Sequence, residues 1–117
     1  MKASVTLKEN RDFQRLYRRG RSMGSATLVL YARANRLGRN RLGITTGAKL
    51  GNAVTRNKMR RRVREILRLH AARLRQGYDL VAVVRHSAVE RDYWKMNRDF
   101  LRCAGRLGLL VQEEGEA

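Results

Sequence analysis

The sequence predicts a single domain in which helices and strands are mixed, and three stretches predict it. Residues 51–75 are strongly basic yet carry apolar residues at helical spacing; residues 79–85 are an almost unbroken apolar run; residues 26–34 are apolar and partly β-branched or aromatic. A strand, a long helix and a strand in succession make a crossover unit, so the strand at 79–85 is expected to run parallel to an earlier one. The 117 residues are enough for one modest core, and the whole chain, 1–117, is read as one domain with a loose start over 1–6 and an acidic, frayed tail over 112–117.

In chain order, the first element is a short helix from about Leu7 to Arg19, with Leu7, Phe13, Leu16 and Tyr17 as its apolar residues and Gly20 as its end. Phe13 and Tyr17 are four apart and share a face. Two readings of that pair stand open: ordinary core packing, or a stacking surface for unpaired bases among Arg11, Arg15 and Arg18. The run A-T-L-V-L-Y-A-R-A (26–34) is a strand. A polar turn from Asn35 to Asn40 leads to a second strand, Arg41 to Thr46, and this connection predicts an antiparallel hairpin. The turn region carries Arg36, Arg39 and Arg41, for which RNA contact and plain solvation both stand open, solvation being favoured. G-A-K-L-G then forms a loop or short strand.

The central helix has apolar Met59, Val63, Ile66, Leu67, His70 and Leu74 at steps of four, three, one, three and four. Asn52 or Thr55 caps its start and Gly77 offers a left-handed stop. Asn57, Arg60, Arg61, Arg64 and Arg68 line up beside the apolar stripe. Between Arg56 and Arg68 stand seven basic residues and one acid, Glu65. A solvated charged face is usually laced with opposite charges, and like charges at this spacing cost a few tenths of a kcal/mol per pair. With one acid to offset seven bases, the stripe is built for an anionic partner. The strand D-L-V-A-V-V-R (79–85) reads as buried on both faces, with Arg85 and His86 at its C-terminal end. Asp92 caps a last helix with Tyr93, Met96, Phe100, Ala104 and Leu107 on one face, and Trp94 falls off that stripe to cover an edge.

A net charge of +17 points to nucleic acid. No apolar run approaches the roughly 20 residues of a membrane span, and no basic amphipathic stretch carries bulky insertion residues, so no membrane partner is expected. Cys103 is the only cysteine, which excludes an internal disulfide and fits a reducing cytoplasm. Autonomous nuclease chemistry finds no support. Asp12, Asp79, Asp92 and Asp99 fall in separate elements, whereas a two-metal site gathers its carboxylates. His70 continues an apolar stripe and reads as a packed residue. The residues by themselves therefore describe an αβ protein that binds structured RNA or DNA.

The run R-L-G-I-T (41–45), followed by K-L-G-N-A-V-T-R-N-K-M-R-R-R-V-R-E-I-L-R (49–68), resembles the motif of the bacterial ribonuclease P protein subunit. D-F-x-x-x-Y (12–17), Gly20, the apolar strand and the closing helix are similar as well, so the resemblance covers nearly the whole chain. It implies an α+β sandwich in the order α-β-β-β-α-β-α, with a mixed four-stranded sheet and a left-handed crossover through the basic helix. Connection statistics alone predict a right-handed one. It also implies a partnership with a large catalytic RNA that uses bound Mg²⁺ to remove the 5′ leader of precursor tRNA. In that assembly the protein holds the leader, supports metal binding and offsets repulsion between two polyanions. It is inactive alone and needs no obligate protein partner.

Carried onto this chain, the resemblance assigns catalytic-RNA contacts to Arg56, Asn57, Arg60, Arg61, Arg64 and Arg68. It assigns a leader-binding cleft to Phe13 and Tyr17, with Lys49, Arg85 and His86 at its edge, and so favours stacking for the aromatic pair. The chain departs from the family pattern at Ala48 and near His86, where a further basic residue is usual. The alternative from another class is a non-catalytic RNA-binding module such as a ribosomal protein. The aromatic pair opposite the basic helix separates the two, because a pure phosphate binder needs the helix alone.

Overall fold

A computed structural model of the chain describes residues 5–7 and 9–111. The expectations for residues 1–4 and for the 112–117 tail lie outside these. Five strands, β1 (Val5–Thr6), β2 (Arg21–Gly24), β3 (Leu28–Ala34), β4 (Arg41–Thr45) and β5 (Tyr78–Val84), form one mixed sheet in the order β1-β4-β5-β3-β2. Three helices, α1 (Asn10–Arg19), α2 (Ala53–His70) and α3 (Tyr93–Arg106), complete it. The four main strands and the helix order are those the resemblance implies. The two-residue β1 extends the sheet by pairing parallel to β4, where a loose start was expected.

The expected hairpin does not form. β3 and β4 run in opposite directions, but β5 lies between them, antiparallel to β3 and parallel to β4. A strand that is apolar on both faces gains most from a central place, where both its edges are paired and both its faces covered. The Asn35–Asn40 connection accordingly spans the start of β5. Asn35 N donates to Gly77 O at 2.8 Å, Asn35 Nδ2 to Asp79 Oδ1 at 2.9 Å, and Tyr78 N to Asn40 Oδ1 at 2.9 Å. Arg41, expected to be solvated, is bound to Asp79.

The sheet divides its side chains by parity. Leu28, Leu30 and Ala32 of β3, Leu80, Ala82 and Val84 of β5, and half-buried Leu42 and Ile44 of β4 face α2 and α3. Those helices answer with Met59, Val63, Ile66, Leu67 and His70 from α2, and Met96, Phe100, Cys103 and Ala104 from α3. Each large apolar side chain so buried contributes about 1.5–3 kcal/mol. On the other face, Val81 joins Leu7 and Leu16 in a smaller cluster under α1. Leu7 thus packs as expected but precedes the helix rather than opening it. Gly20 ends α1 because a Cβ there would stand 2.7 Å from Leu16 O and 3.2 Å from Ala32 O.

Asn52 Oδ1 caps α2 by accepting from Thr55 N at 3.0 Å, so Thr55 is the capped residue and not the cap. The helix stops at His70, short of the expected Arg75 and without help from Gly77, which instead leads into β5. A 3₁₀ turn, Ala71–Arg73, follows. The chain then pairs with the segment after α3: Arg75 N donates to Leu109 O and Val111 N to Arg73 O, both at 2.7 Å. Those extended hydrogen bonds replace the helical ones. Asp92 caps α3 as expected, Oδ1 accepting from Lys95 N at 2.8 Å. Buried Asp99 ties α3 to the entry of β3, with Thr27 Oγ1 donating at 2.6 Å and Lys95 Nζ lying 3.0 Å away. Burial pushes the Asp99 carboxyl up, but Thr27 and Lys95 together hold it below its ordinary value. Trp94 covers no edge: it is 59% exposed. Among the described residues no helix is long and apolar enough to cross a membrane.

Candidate nucleic-acid interface

The basic side of α2 follows from its sequence register. With Met59, Val63, Ile66 and Leu67 fixed against the sheet, Asn57, Arg61, Arg64 and Arg68 are driven to solvent. Arg56 and Arg60 sit half-buried at the margin, and Arg60 Nη2 donates to Thr46 Oγ1 at 2.7 Å, which aims its guanidinium along the end of β4. Arg68 is paired with Glu65, which accepts from Nε at 3.0 Å and from Nη2. That contact holds the Glu65 carboxyl below its ordinary value. Among the described residues no acid lies within ion-pair distance of Arg56, Arg60, Arg61 or Arg64. A row of guanidinium groups so left offers planar forks suited to bidentate phosphate contacts.

The second surface lies on the opposite face of the sheet. One ladder row there reads Ser22, Tyr31, Val81, Gly43, and the next reads Gly24, Val29, Val83, Thr45. Phe13 lies directly on Gly43, since a Cβ there would stand 2.8 and 2.9 Å from its ring carbons. Tyr17 meets Tyr31 edge to face at 5.0 Å, and its hydroxyl shares a 2.9 Å hydrogen bond with Thr45 Oγ1. Phe13, Tyr17 and Tyr31 are all half-buried, each keeping part of its ring in solvent. The pair packs on the sheet, as the core-packing reading expects, and neither residue is fully buried.

The basic edge of this cleft gathers at the ends of β4 and β5. Exposed Lys49 stands in the 3₁₀ turn Ala48–Leu50, which packs against a second turn, His86–Glu90. Arg85, also exposed, donates from Nη1 to Ser25 O at 3.0 Å, so its guanidinium is held beside β2 rather than swinging free. His86 is exposed at the start of its turn. Of the five predicted cleft residues, Phe13 and Tyr17 lie on the α1 face and Arg85 reaches Gly24 on that face, whereas Lys49 and His86 stand exposed on two turns that pack against each other and against α2, the helix that carries the other six.

Sequence reading passed over several residues of these surfaces. Tyr31 was visible in principle, because alternation along β3 sets Val29, Tyr31 and Arg33 against Leu28, Leu30 and Ala32. Thr45 and Asp79 act through partners distant in sequence, for which local pattern carries no signal. Also unforeseen is a shallow groove of about 510 Å³ where α2 meets the start of α3, lined by Lys58, Arg61, Arg62, Arg64, Glu65, Arg68 and Tyr93. His70 is placed as expected for a packed residue: its Nε2 donates to Asn97 Oδ1 at 2.7 Å and its ring stacks on Phe100.

Among the described residues no three His, Cys, Asp or Glu side chains come together to hold a metal ion. The four aspartates are already engaged, Asp79 and Asp12 with Arg41, Asp99 with Thr27 and Lys95, and Asp92 as a helix cap. The described residues do not assemble a Mg²⁺ site of their own.

Comparison with known proteins finds relatives along nearly the whole chain. A family model described as Ribonuclease P matches residues 1–108. The ribonuclease P protein component of Natranaerobius thermophilus is 43% identical over 110 residues, covering 94% of this chain and 96% of that protein. The same component from Clostridium botulinum is 36% identical over 104 residues, covering 88% and 94%. Among solved structures, the Staphylococcus aureus RNase P protein superposes with a TM-score of 0.85 at 29% identity, covering 93% of this chain and 100% of that one. The Thermotoga maritima RNase P protein gives 0.76 at 34% identity, covering 83% and 92%.

Proposed function

The chain belongs to the ribonuclease P protein family, and from that premise we propose that it serves two RNAs at once, one on each side of its sheet. As the protein subunit of a tRNA-processing ribonuclease it works with an RNA partner. In our reading that partner is the catalytic RNA, which lies along α2 and is gripped through its phosphates by Arg56, Asn57, Arg60, Arg61, Arg64 and Arg68. The single-stranded 5′ leader of precursor tRNA runs through the cleft over Phe13 and Tyr17, with Lys49, Arg85 and His86 steering its phosphates.

The observation that supports this reading best is the separation of the two surfaces. Cations on α2 and aromatic rings under α1 lie on opposite faces of one sheet. Stacking suits unpaired bases, and guanidinium rows suit phosphates of folded RNA. The chemistry then falls to the RNA and its Mg²⁺, a reading supported by the burial of His70 in a hydrogen bond and by the engagement of all four aspartates with other groups. The protein's positive charge offsets repulsion between the two RNAs, and the assembly works in the cytoplasm without an obligate protein partner.

A cleavage assay tests the proposal. The chain is mixed with a bacterial ribonuclease P RNA at low Mg²⁺, and a precursor tRNA is followed. Faster cutting at the mature 5′ end than with RNA alone, and none with protein alone, is the expected result. RNA binding without any gain in cleavage would reduce the chain to a general RNA-binding module. Cleavage by the protein alone would return His86 and the aspartates to consideration.

A further inference from the structure

Beyond the cleft and the α2 stripe, one pair of aromatic residues stands unused. Tyr93 and Trp94 open α3, their rings 5.0 Å apart and nearly perpendicular. Trp94 is 59% exposed, on a surface where large apolar side chains are otherwise few. A lone exposed aromatic is common on proteins and asks for no explanation. This one differs in its neighbours. Tyr93 lines the groove between α2 and α3, whose other walls are Lys58, Arg61, Arg62, Arg64 and Arg68, with Glu65 as the single acid.

The groove is also braced. Arg62 Nη1 donates at 2.7 Å to the carbonyl of Arg91, the residue just before the α3 cap, and so fixes the start of α3 against α2. Asp92 Oδ1 holds the first turn of α3 through Lys95 N. The aromatic pair is thereby presented beside the guanidinium groups on a rigid element. At about 510 Å³ the groove falls within the roughly 300–1,000 Å³ of small-ligand clefts, enough for a nucleotide.

Five cations against one carboxylate select an anionic occupant, and the exposed indole of Trp94, 5.0 Å from the Tyr93 ring that lines the groove, selects one with a flat apolar face. An unpaired nucleotide has both, whereas a duplex hides its base faces. We propose that the α2–α3 groove is a second single-strand site, in which Trp94 stacks on an unpaired base of bound RNA while Arg61, Arg62 and Lys58 hold the flanking phosphates. This rests on the reading of α2 as an RNA-binding face and adds to it a contact that distinguishes unpaired from paired RNA.

Trp94 is the only tryptophan in the chain, so its fluorescence reports on this site alone. The intact protein is titrated with a ten-nucleotide single-stranded oligoadenylate and, separately, with a duplex of equal phosphate number, binding being followed independently by the anisotropy of a label on the RNA. Single-stranded RNA should quench Trp94 emission in step with binding, and the duplex should bind with emission nearly unchanged. Trp94→Ala should weaken the single strand about 5- to 150-fold, the equivalent of about 1–3 kcal/mol, and leave the duplex nearly unaffected. Trp94→Phe should restore most of the loss. Binding of the single strand with unaltered Trp94 emission would place it elsewhere, as in the α1 cleft, and overturn the second site while the proposed function stands. Equal weakening of both RNAs by Trp94→Ala would also overturn it. Failure of every RNA to bind would overturn the proposed function itself.

Discussion

Arg41 grips Asp79 with two parallel hydrogen bonds, Nε to Oδ1 at 2.7 Å and Nη2 to Oδ2 at 2.6 Å, and reaches Asp12 of α1 with Nη1 at 3.7 Å. One guanidinium thus joins β4, β5 and α1 beneath the aromatic cleft. Burial pushes the Asp79 carboxyl up, but hydrogen bonds from Arg41 and Asn35, with the charges of Arg41 and Arg15, hold it below its ordinary value. The same contact raises Arg41. A bidentate pair of this kind is geometrically specific and leaves a poorly solvated charge behind when one partner is removed.

Asp79→Asn should therefore destabilise the fold by about 3 kcal/mol at neutral pH. The pH dependence follows from the lowered folded-state value. The unfolded chain takes up the Asp79 proton first as acid is added, so the contribution is complete above the ordinary carboxylate range and disappears as pH falls through the depressed value. Urea midpoints of the two proteins should converge on acidification below about pH 4. A gap that stays constant from pH 7 to pH 3 would mean that the ionic pair is not its source.

Arg64 is exposed and, among the described residues, has no acid within ion-pair distance, so its truncation is the cleanest probe of phosphate contacts along α2. Arg64→Ala should lower affinity for the catalytic RNA and reduce the slope of log K against log salt by about 0.7–0.9, one phosphate's worth. An unchanged slope in a salt titration removes Arg64 from the interface. Arg60 is a poorer choice, because its bond to Thr46 makes it part of the fold as well.

Phe13 carries two roles that a single substitution must separate. Its ring rests on Gly43, so Phe13→Ala would also open a gap against the sheet. Phe13→Leu keeps the apolar contact and should cost under about 1.5 kcal/mol of stability. It removes the aromatic plane, and precursor tRNA should then lose about 1–3 kcal/mol of binding relative to mature tRNA. Equal losses for the two ligands would leave Phe13 as a packing residue only.

The helices were the most legible part of the fold. Apolar steps of three and four along α2 report its buried face whatever the tertiary context, and the caps Asn52 and Asp92 act within three residues. The guanidinium stripe was legible for the same reason, being the remainder of that face. Strand neighbours were not. The turn between β3 and β4 has hairpin chemistry, but nothing within it says that β5, some 40 residues later in the chain, enters between them. β2 escaped notice because R-S-M-G has neither alternation nor β-branched residues; it is held from outside, by β3 and by Arg21 Nη2 donating to Leu107 O at 2.8 Å. In the cleft, Phe13 and Tyr17 were found by spacing and the face of Tyr31 follows from alternation along β3, whereas Thr45 and Gly43 join them only through the register of the sheet.

Ribosomes deliver β5 after β2, β3, β4 and α2, yet it is the strand on which both halves of the sheet depend. A nascent chain that has emerged only to Gly77 has β3 and β4 facing an unfilled slot, each with one row of peptide groups awaiting the same partner. The Arg41–Asp79 bond that locks the slot spans 38 residues, and no local hairpin on that side can form first and wait. Synthesis therefore passes through an interval in which a strongly cationic chain displays open strand edges, the condition under which a young protein most needs shielding from its neighbours.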